Sequence, residues 1–383
     1  YDADAVRQLS TFAPGMPYSE KLLLDFQERL VKSGLFDGAS VELDPDPLAA
    51  NAAPVRVNVK ERSLQQATFG LGYNANTGAR FTLDHYDRSA FGSRWVAHSR
   101  FELGPALKSL GTEFTSYPTQ GLRRNLLAAN AERLDAADQL RTSWNARVGR
   151  TQDTDRLERL YFAEALHSHI DSSALLTQAD AVTGNYQWVL RNVDDVLLPT
   201  AGTTVNLQAA LGVGKGSETL PGLNTGSDSR GPFGRAYGRF TWYRPLGGSW
   251  YATVRVEGGE VFAKSAIGVP DPLLFRAGGE DSVRGYGYRT LGPKVNGAVA
   301  SGRVLLTGSA EVARPVSLSY PAVWWAAFVD AGNAADRWQD FSPALGYGLG
   351  LRWRSPVGPL HVDLAYGEEV HQVRLHVSVG IAF

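Results

Sequence analysis

From about Leu64 to its end the chain alternates apolar and polar residues with a period of two, the pattern of strands with one apolar face. The last segment shows it best. Val373, Leu375, Val377, Val379, Ile381 and Phe383 are apolar, and Arg374, His376, Ser378, Gly380 and Ala382 stand between them. Leu360, Val362, Leu364 and Tyr366 alternate likewise with His361, Asp363, Ala365 and Gly367. Tyr347, Leu349, Leu351 and Trp353 oppose Gly346, Gly348, Gly350 and Arg352, and Trp250, Ala252, Val254 and Val256 oppose Tyr251, Thr253, Arg255 and Glu257. An apolar face ending in aromatics, set against a charged, glycine-rich face, predicts a barrel with lipid outside and a polar lumen. A soluble sandwich would turn its apolar faces inward. About sixteen such segments over roughly 320 residues, near 20 per strand with its connection, suit a barrel of that size. Backbone groups left unpaired in lipid cost several kcal/mol each, so the sheet is expected to close.

The first 62 residues follow a different spacing. Ser19 is placed to cap a helix whose face carries Leu22, Phe26 and Leu30, and Gly34 sits where such a helix ends. A weaker helix is expected from Ala3 to Leu9. Two alternating segments follow, Val41/Leu43 and Val55/Val57/Val59, joined by a loop containing Pro45, Pro47 and Pro54. The expected fold is therefore a transmembrane antiparallel β-barrel of about 16 strands over residues 63–383, preceded by a small α/β domain over 1–62. The first barrel strand is expected at about Leu64–Tyr73 and the last at Arg374–Phe383.

Composition adds exclusions. With 38 basic and 39 acidic side chains, long-range charge points to no nucleic-acid partner. Cysteine is absent, which removes disulfides, thiolate metal sites and cysteine nucleophiles. No apolar run reaches the roughly 18 residues of a membrane helix; the longest, Val323–Val329, is far shorter. The opening Tyr1-Asp2-Ala3-Asp4 has neither the basic start nor the apolar stretch of a signal peptide, as expected of a processed or truncated chain. His167 and His169 could share a strand face, but no third ligand is near in sequence, and they read as lumen-facing or interfacial polar residues. Gly70-Leu-Gly-Tyr and Gly346-Tyr-Gly-Leu-Gly lack the helix a dinucleotide loop needs. No Gly-x-Ser-x-Gly elbow occurs. Neither catalysis nor a cofactor is expected. Trp324, Trp325, Trp338 and Trp353 read as interfacial-belt or barrel-wall residues.

One connection, over about 265–300, is built differently. Residues 278–288 place Arg284 among Gly278, Gly279, Gly285 and Gly287, with Val283, Tyr286 and Tyr288 beside it. Glycines permit tight folding at positive φ, and arginine offers a rigid fork for carboxylates. Strand parity supplies partners. Arg303, Leu305, Thr307, Ser309 and Glu311 form the more polar face of one segment, and Phe328, Asp330 and Gly332 the inward face of the next. Two readings stand: Arg284 folds back to pair with Asp330, Glu311 or both, or all three are solvated in a wet lumen.

The run Gly-Gly-Glu-Asp-Ser-Val-Arg-Gly-Tyr-Gly-Tyr-Arg-Thr-Leu-Gly-Pro resembles the sixth-loop motif of the BamA superfamily of outer-membrane assembly factors and translocators. Phe328–Gly332 resembles that family's Phe-x-Asp-x-Gly strand motif, whose aspartate meets the loop arginine. Gly15-Met-Pro-Tyr-Ser19 and Leu30-Val-Lys-Ser-Gly-Leu-Phe36 resemble a POTRA domain without room for its first strand, so a fragment is expected. Within the superfamily, the wording most resembles the barrel subunits of translocation and assembly modules, the TamA type. The resemblance implies a bacterial outer-membrane location with the POTRA domain in the periplasm. It also implies nascent outer-membrane β-barrel proteins (autotransporter-type) as clients, outer-membrane lipid as surroundings, and a periplasm-spanning, TamB-like inner-membrane partner reached through the POTRA region. The working part would be a lateral gate between first and last strands, formed by Gly70, Gly72, Gly380 and Phe383. Gly380 is expected either to kink inward or to relieve crowding. A two-partner-secretion-type polypeptide translocator or a BamA-type insertase is the alternative, and an enzyme or passive porin a more distant one.

Overall fold

The computed structural model describes residues 1, 3–44, 52–119, 121–154, 156–196, 198–219, 226–317, 319–355 and 358–382. Among these, sixteen antiparallel strands close into one barrel, with Gln65–Asn74 first and Gln372–Ala382 last. The expected edge strands are thus shifted by a residue or two, and Phe383 lies outside the described residues. Period-two burial follows the sequence alternation. In Gly202–Thr219, Leu207, Leu211 and Val213 are exposed on the outer face, and Ala210 is buried in the wall. The barrel is uneven. Its strands grow from 10 residues in Gln65–Asn74 to 22 in Gly226–Gly247, well beyond the roughly 9–11 a bilayer needs.

The N-terminal unit has two helices, Ala3–Arg7 and Glu20–Lys32, and a two-stranded sheet of Phe36–Leu43 with Val55–Glu61. Pro45 and Pro47, expected in the joining loop, lie outside the described residues. Ser19 occupies the N-cap position, though its side chain caps nothing, and Gly34 follows the helix end with a φ of +71°. Leu23, Phe26 and Leu30 bury one helical face against Phe36 and Val41. The same cluster takes in Val96, Tyr117 and Leu122 from the barrel, so the unit sits on the barrel turns at that end. Arg124 donates to the Ser33 carbonyl at 2.6 Å across this junction.

On the opposite side, the connection from Phe262 to Val304 folds back into the lumen. Val269, Leu273, Phe275, Ala277, Val283 and Tyr286 of this loop form an apolar core with wall residues such as Leu166, Phe233 and Leu305. A membrane barrel has no other place for such a core, because its outer face is already apolar. Of the two places expected for Trp324, belt or barrel wall, it takes the wall. It is buried on the inward face, under Arg354 at 4.6 Å from the ring centre, whereas Trp325 and the exposed Trp353 keep to the outer face. Adjacent residues of a strand point to opposite faces, so only one of the Trp324–Trp325 pair can belong to the belt. His167 is likewise turned to the outer face, bonded to Asp180 at 2.7 Å and stacked on the exposed Trp144.

Candidate functional site: a loop latch and a short seam

Arg284 does dock. Its Nε donates to Asp330 Oδ2 at 2.7 Å and its Nη2 to Asp330 Oδ1 at 2.9 Å, a side-on two-point fork. The Arg284 backbone N–H also donates to Asp330 Oδ2, at 3.1 Å. Its Nη1 reaches Glu311 at 2.9 Å and Asp363 at 3.2 Å, and Nη2 donates to Ser309 Oγ at 3.3 Å. The guanidinium lies over the Phe328 ring, 3.4 Å from its centre, which explains the aromatic of the Phe-Val-Asp-Ala-Gly segment. Arg284 is 6% and Asp330 0% exposed, so the wet-lumen reading fails.

Two members came from sequence parity and two were missed. Arg352 donates to Glu311 Oε2 at 2.8 Å and bonds both oxygens of Asp363. Arg284 and Arg352 thus bind Asp330, Glu311 and Asp363 in one network. His361/Asp363 and Arg352 stand in the polar half of alternations evident in the sequence, so the signal existed. What sequence does not give is the cross-strand register that brings them level.

Glycines make the room. A Cβ on Gly346 would lie 1.9 Å from the Arg284 carbonyl, and one on Gly348 2.8 Å from the Phe328 ring. On Gly350 it would meet Asp363 Oδ1 at 1.8 Å. This glycine stripe therefore relieves crowding on the lumen face. Gly332, at φ +153°, would bring a Cβ within 2.5 Å of the Leu306 carbonyl. Gly285, at φ +94°, lets the loop turn so close to the wall that a Cβ there would lie 2.7 Å from the Gly367 nitrogen. Val283 and Tyr286 flank the turn as buried plugs, and the Tyr286 hydroxyl donates to the Leu345 carbonyl at 3.1 Å.

The loop root has its own clamp, which no sequence pattern marked. Asp271 is 4% exposed and accepts from Arg141 and Arg289 at 2.9 Å each and from the Ser301 hydroxyl. Its backbone N–H donates to Ser168 Oγ at 3.0 Å. Burial opposes the charge, but Arg289, Arg141 and Arg276 outweigh it and hold the carboxyl below the usual carboxylate range. Arg141 and Ser168 lie in Gln139–Asp153 and Leu157–Ser172, across the ring from the latch strands, so the loop spans the lumen.

The loop also touches both sides of the barrel seam. Gly285 N–H donates to His376 Nε2 of the last strand at 3.0 Å, and Asn74 of the first strand donates to Glu280 at 3.0 Å. Among the described residues five register pairs join these strands, Ser378–Asn74 to Ala382–Gly70, against seven in the next shortest pairing. Gly380 pairs with Gly72, and no register shift interrupts the run, so no bulge marks a kink there. Gly70 is buried on the inward face, and a Cβ on Gly72 would lie 3.0 Å from Arg80.

Comparison with known proteins agrees with this geometry. Residues 62–383 match the Omp85 superfamily domain. The chain belongs to the Omp85 superfamily. As an Omp85-type barrel it is an outer-membrane protein. It resembles two Arabidopsis thaliana proteins: "Outer envelope protein 80, chloroplastic", 36% identical over 115 residues, and "Outer envelope protein 39, chloroplastic", 35% over 102. These matches cover 28% and 24% of this chain, and 14% and 25% of the relatives' lengths. Among solved structures, BamA from Haemophilus ducreyi lacking POTRA domains 1–3 superposes with a TM-score of 0.80 at 18% identity, covering 99% of this chain and 82% of that one. CdiB from Escherichia coli gives 0.61 at 12%, covering 100% and 74%, and CdiB from Acinetobacter baumannii 0.58 at 15%, covering 98% and 71%. Such likenesses fix the barrel fold.

Proposed function

We propose that this Omp85 barrel inserts nascent β-barrel proteins into the bacterial outer membrane through the seam between its first and last strands. The observation that carries the reading is the seam itself. Its pairing is the shortest among the described residues. Phe69 and Leu71 stand exposed there on the outer face. An unpaired strand edge templates the addition of another strand, and an incoming client hairpin supplies one. The latch holds the barrel wall while the seam works and performs no chemistry of its own. The motif wording further supports a TamA-type role with autotransporter-type clients. On this reading the N-terminal unit is a partial POTRA domain in the periplasm, the side where it meets an inner-membrane, TamB-like partner.

The test exploits the absence of cysteine. Tyr73 and Val379 are register partners, and antiparallel partners are close enough for a disulfide. Oxidised Tyr73→Cys/Val379→Cys protein should fold but fail to insert clients into liposomes, and reduction should restore insertion. Full insertion by the oxidised form refutes the seam reading.

A second reading, a polypeptide translocator, draws on the lumen wall of the third to sixth strands, Trp95–Leu103 to Gln139–Asp153. There a cavity of about 230 Å³ is lined by His98, Arg100, Glu113, Asn130, Asn145 and Arg147. Small, flickering single-channel conductance supports the plugged insertase, and a large steady pore the translocator.

A further inference from the structure

Two Arg-Pro pairs stand on the outer face of the barrel, at the end that carries the N-terminal unit. Arg244-Pro245 closes Gly226–Gly247, and Arg314-Pro315 closes Val304–Ser317. In both strands the register shifts just past the proline, between Pro245 and Gly247 and between Pro315 and Ser317. Proline cannot donate to a ladder, so regular pairing ends at it and the preceding arginine stands one position before the end. Parity turns both arginines outward. Arg244 follows Phe240 and Trp242, and Arg314 follows Val312, all exposed on the lipid face.

Register brings them together. Arg244 pairs with Ala252 and Ala252 with Val312, while Arg314 pairs with Trp325 and Trp250 lies at the start of the strand between. The Arg244 guanidinium lies 5.4 Å from the Trp242 ring centre and that of Arg314 5.3 Å from Trp250. Trp250 meets Trp325 edge to face at 4.9 Å. Among the described residues neither arginine has a hydrogen bond or an ion pair, in contrast to Arg284 and Arg352 in the lumen.

Two cations held on tryptophan rings at the rim of a lipid-facing wall have no protein anion to meet. We propose that this patch binds the phosphate of an anionic phospholipid in the leaflet on the side of the N-terminal unit. The tryptophans sit at headgroup depth, as aromatic belts do, and fix the height of the two guanidinium groups. Guanidinium forks bind phosphate oxygens in two-point fashion. A basic residue near a membrane surface draws anionic lipid, and its exposure at the rim costs little compared with the bilayer centre. Tyr-Arg-Pro-Leu and Ala-Arg-Pro-Val would thus act as paired lipid anchors two strands apart, on the sector of wall that also carries the latch strand Val304–Ser317.

The test uses the full chain in mixed micelles, with retained phosphatidylglycerol and phosphatidylcholine measured by native mass spectrometry. The unaltered protein should retain phosphatidylglycerol preferentially. Arg244→Gln/Arg314→Gln should weaken that retention by about fivefold per arginine and leave phosphatidylcholine unchanged. Millimolar inorganic phosphate should not displace the lipid. Equal retention of both lipids, an unaffected double variant, parallel loss of both lipids, or displacement by inorganic phosphate would each overturn the proposal; the last would assign a free-anion site. Heat-modifiable gel mobility reports folding. Should the double variant not fold, Arg244→Gln alone, at an exposed position, is read by the same criteria.

Discussion

The strands Leu176–Val193 and Gly202–Thr219 are joined by eighteen register pairs, whereas the first and last strands share five among the described residues. Both pairings are antiparallel and have the same alternation, so strand chemistry does not separate them. What differs is length and what lies behind. The long pairing is secured mainly by its own ladder, with loop residues Ile267 and Gly268 packed behind Gly216 and Gly214. The short one is backed by a loop that bonds Asn74 on one side and His376 on the other and is itself pinned by buried charge. A closed sheet can therefore hold one weak joint if stabilisation is concentrated beside it.

The strongest way to erase that contrast is to remove the pin. Arg284→Ala leaves Asp330 buried without its fork and should cost about 3–5 kcal/mol, read from urea unfolding of the detergent-folded barrel. Stability within error of the unaltered protein would show that the latch does not brace the seam. A pair of glycine changes sharpens the comparison. Gly346→Ala would push a Cβ against the Arg284 carbonyl and should cost about 1–3 kcal/mol. Gly184→Ala in the long pairing, where the nearest atom is 4.0 Å away, should stay within about 0.5 kcal/mol. Equal costs at the two sites would dissolve the distinction. At the loop root, Asp271→Asn should cost about 1–3 kcal/mol and raise the frequency of channel openings; unchanged conductance would confine the clamp to a packing role.

The smallest expected effect is on pH. The Asp271 carboxyl is held below its unfolded value, so its stabilisation is complete above the ordinary aspartate range, about 3.9, and fades as pH falls through the lowered folded value. Openings should increase only in strong acid, and Asp271→Asn should abolish that part of the response. An identical acid response in the variant would assign it to other groups.

Much of the barrel was legible because lipid enforces a strict rule. Outward residues at bilayer depth are predominantly apolar, and the alternation therefore survives even in short strands. Parity alone placed Glu311, Phe328 and Asp330 on the lumen wall. It failed where a second rule was needed. Arg352, Asp363 and His376 are inward by the same parity, but their meeting with Arg284 depends on register across several strands. Asp271 lies in an irregular loop and finds Arg141 130 residues away, a distance no periodic signal spans. Trp324 and Trp325 look alike in sequence, but a strand sends them to opposite faces, so parity decides which of the two readings, wall or belt, each one takes.

The loop crossing the lumen also sets the mechanics of the ring. Fastened to Gln139–Asp153 and Leu157–Ser172 at its root and to Val304–Ser317 and Tyr320–Ala335 at its tip, it acts as a strut that divides the circumference into two arcs. Only one arc contains the seam. While both ends of the strut hold, spreading of the joint must be taken up by the short strands of that arc. The long-stranded arc keeps its curvature, and the width of any opening is limited by the strut's length.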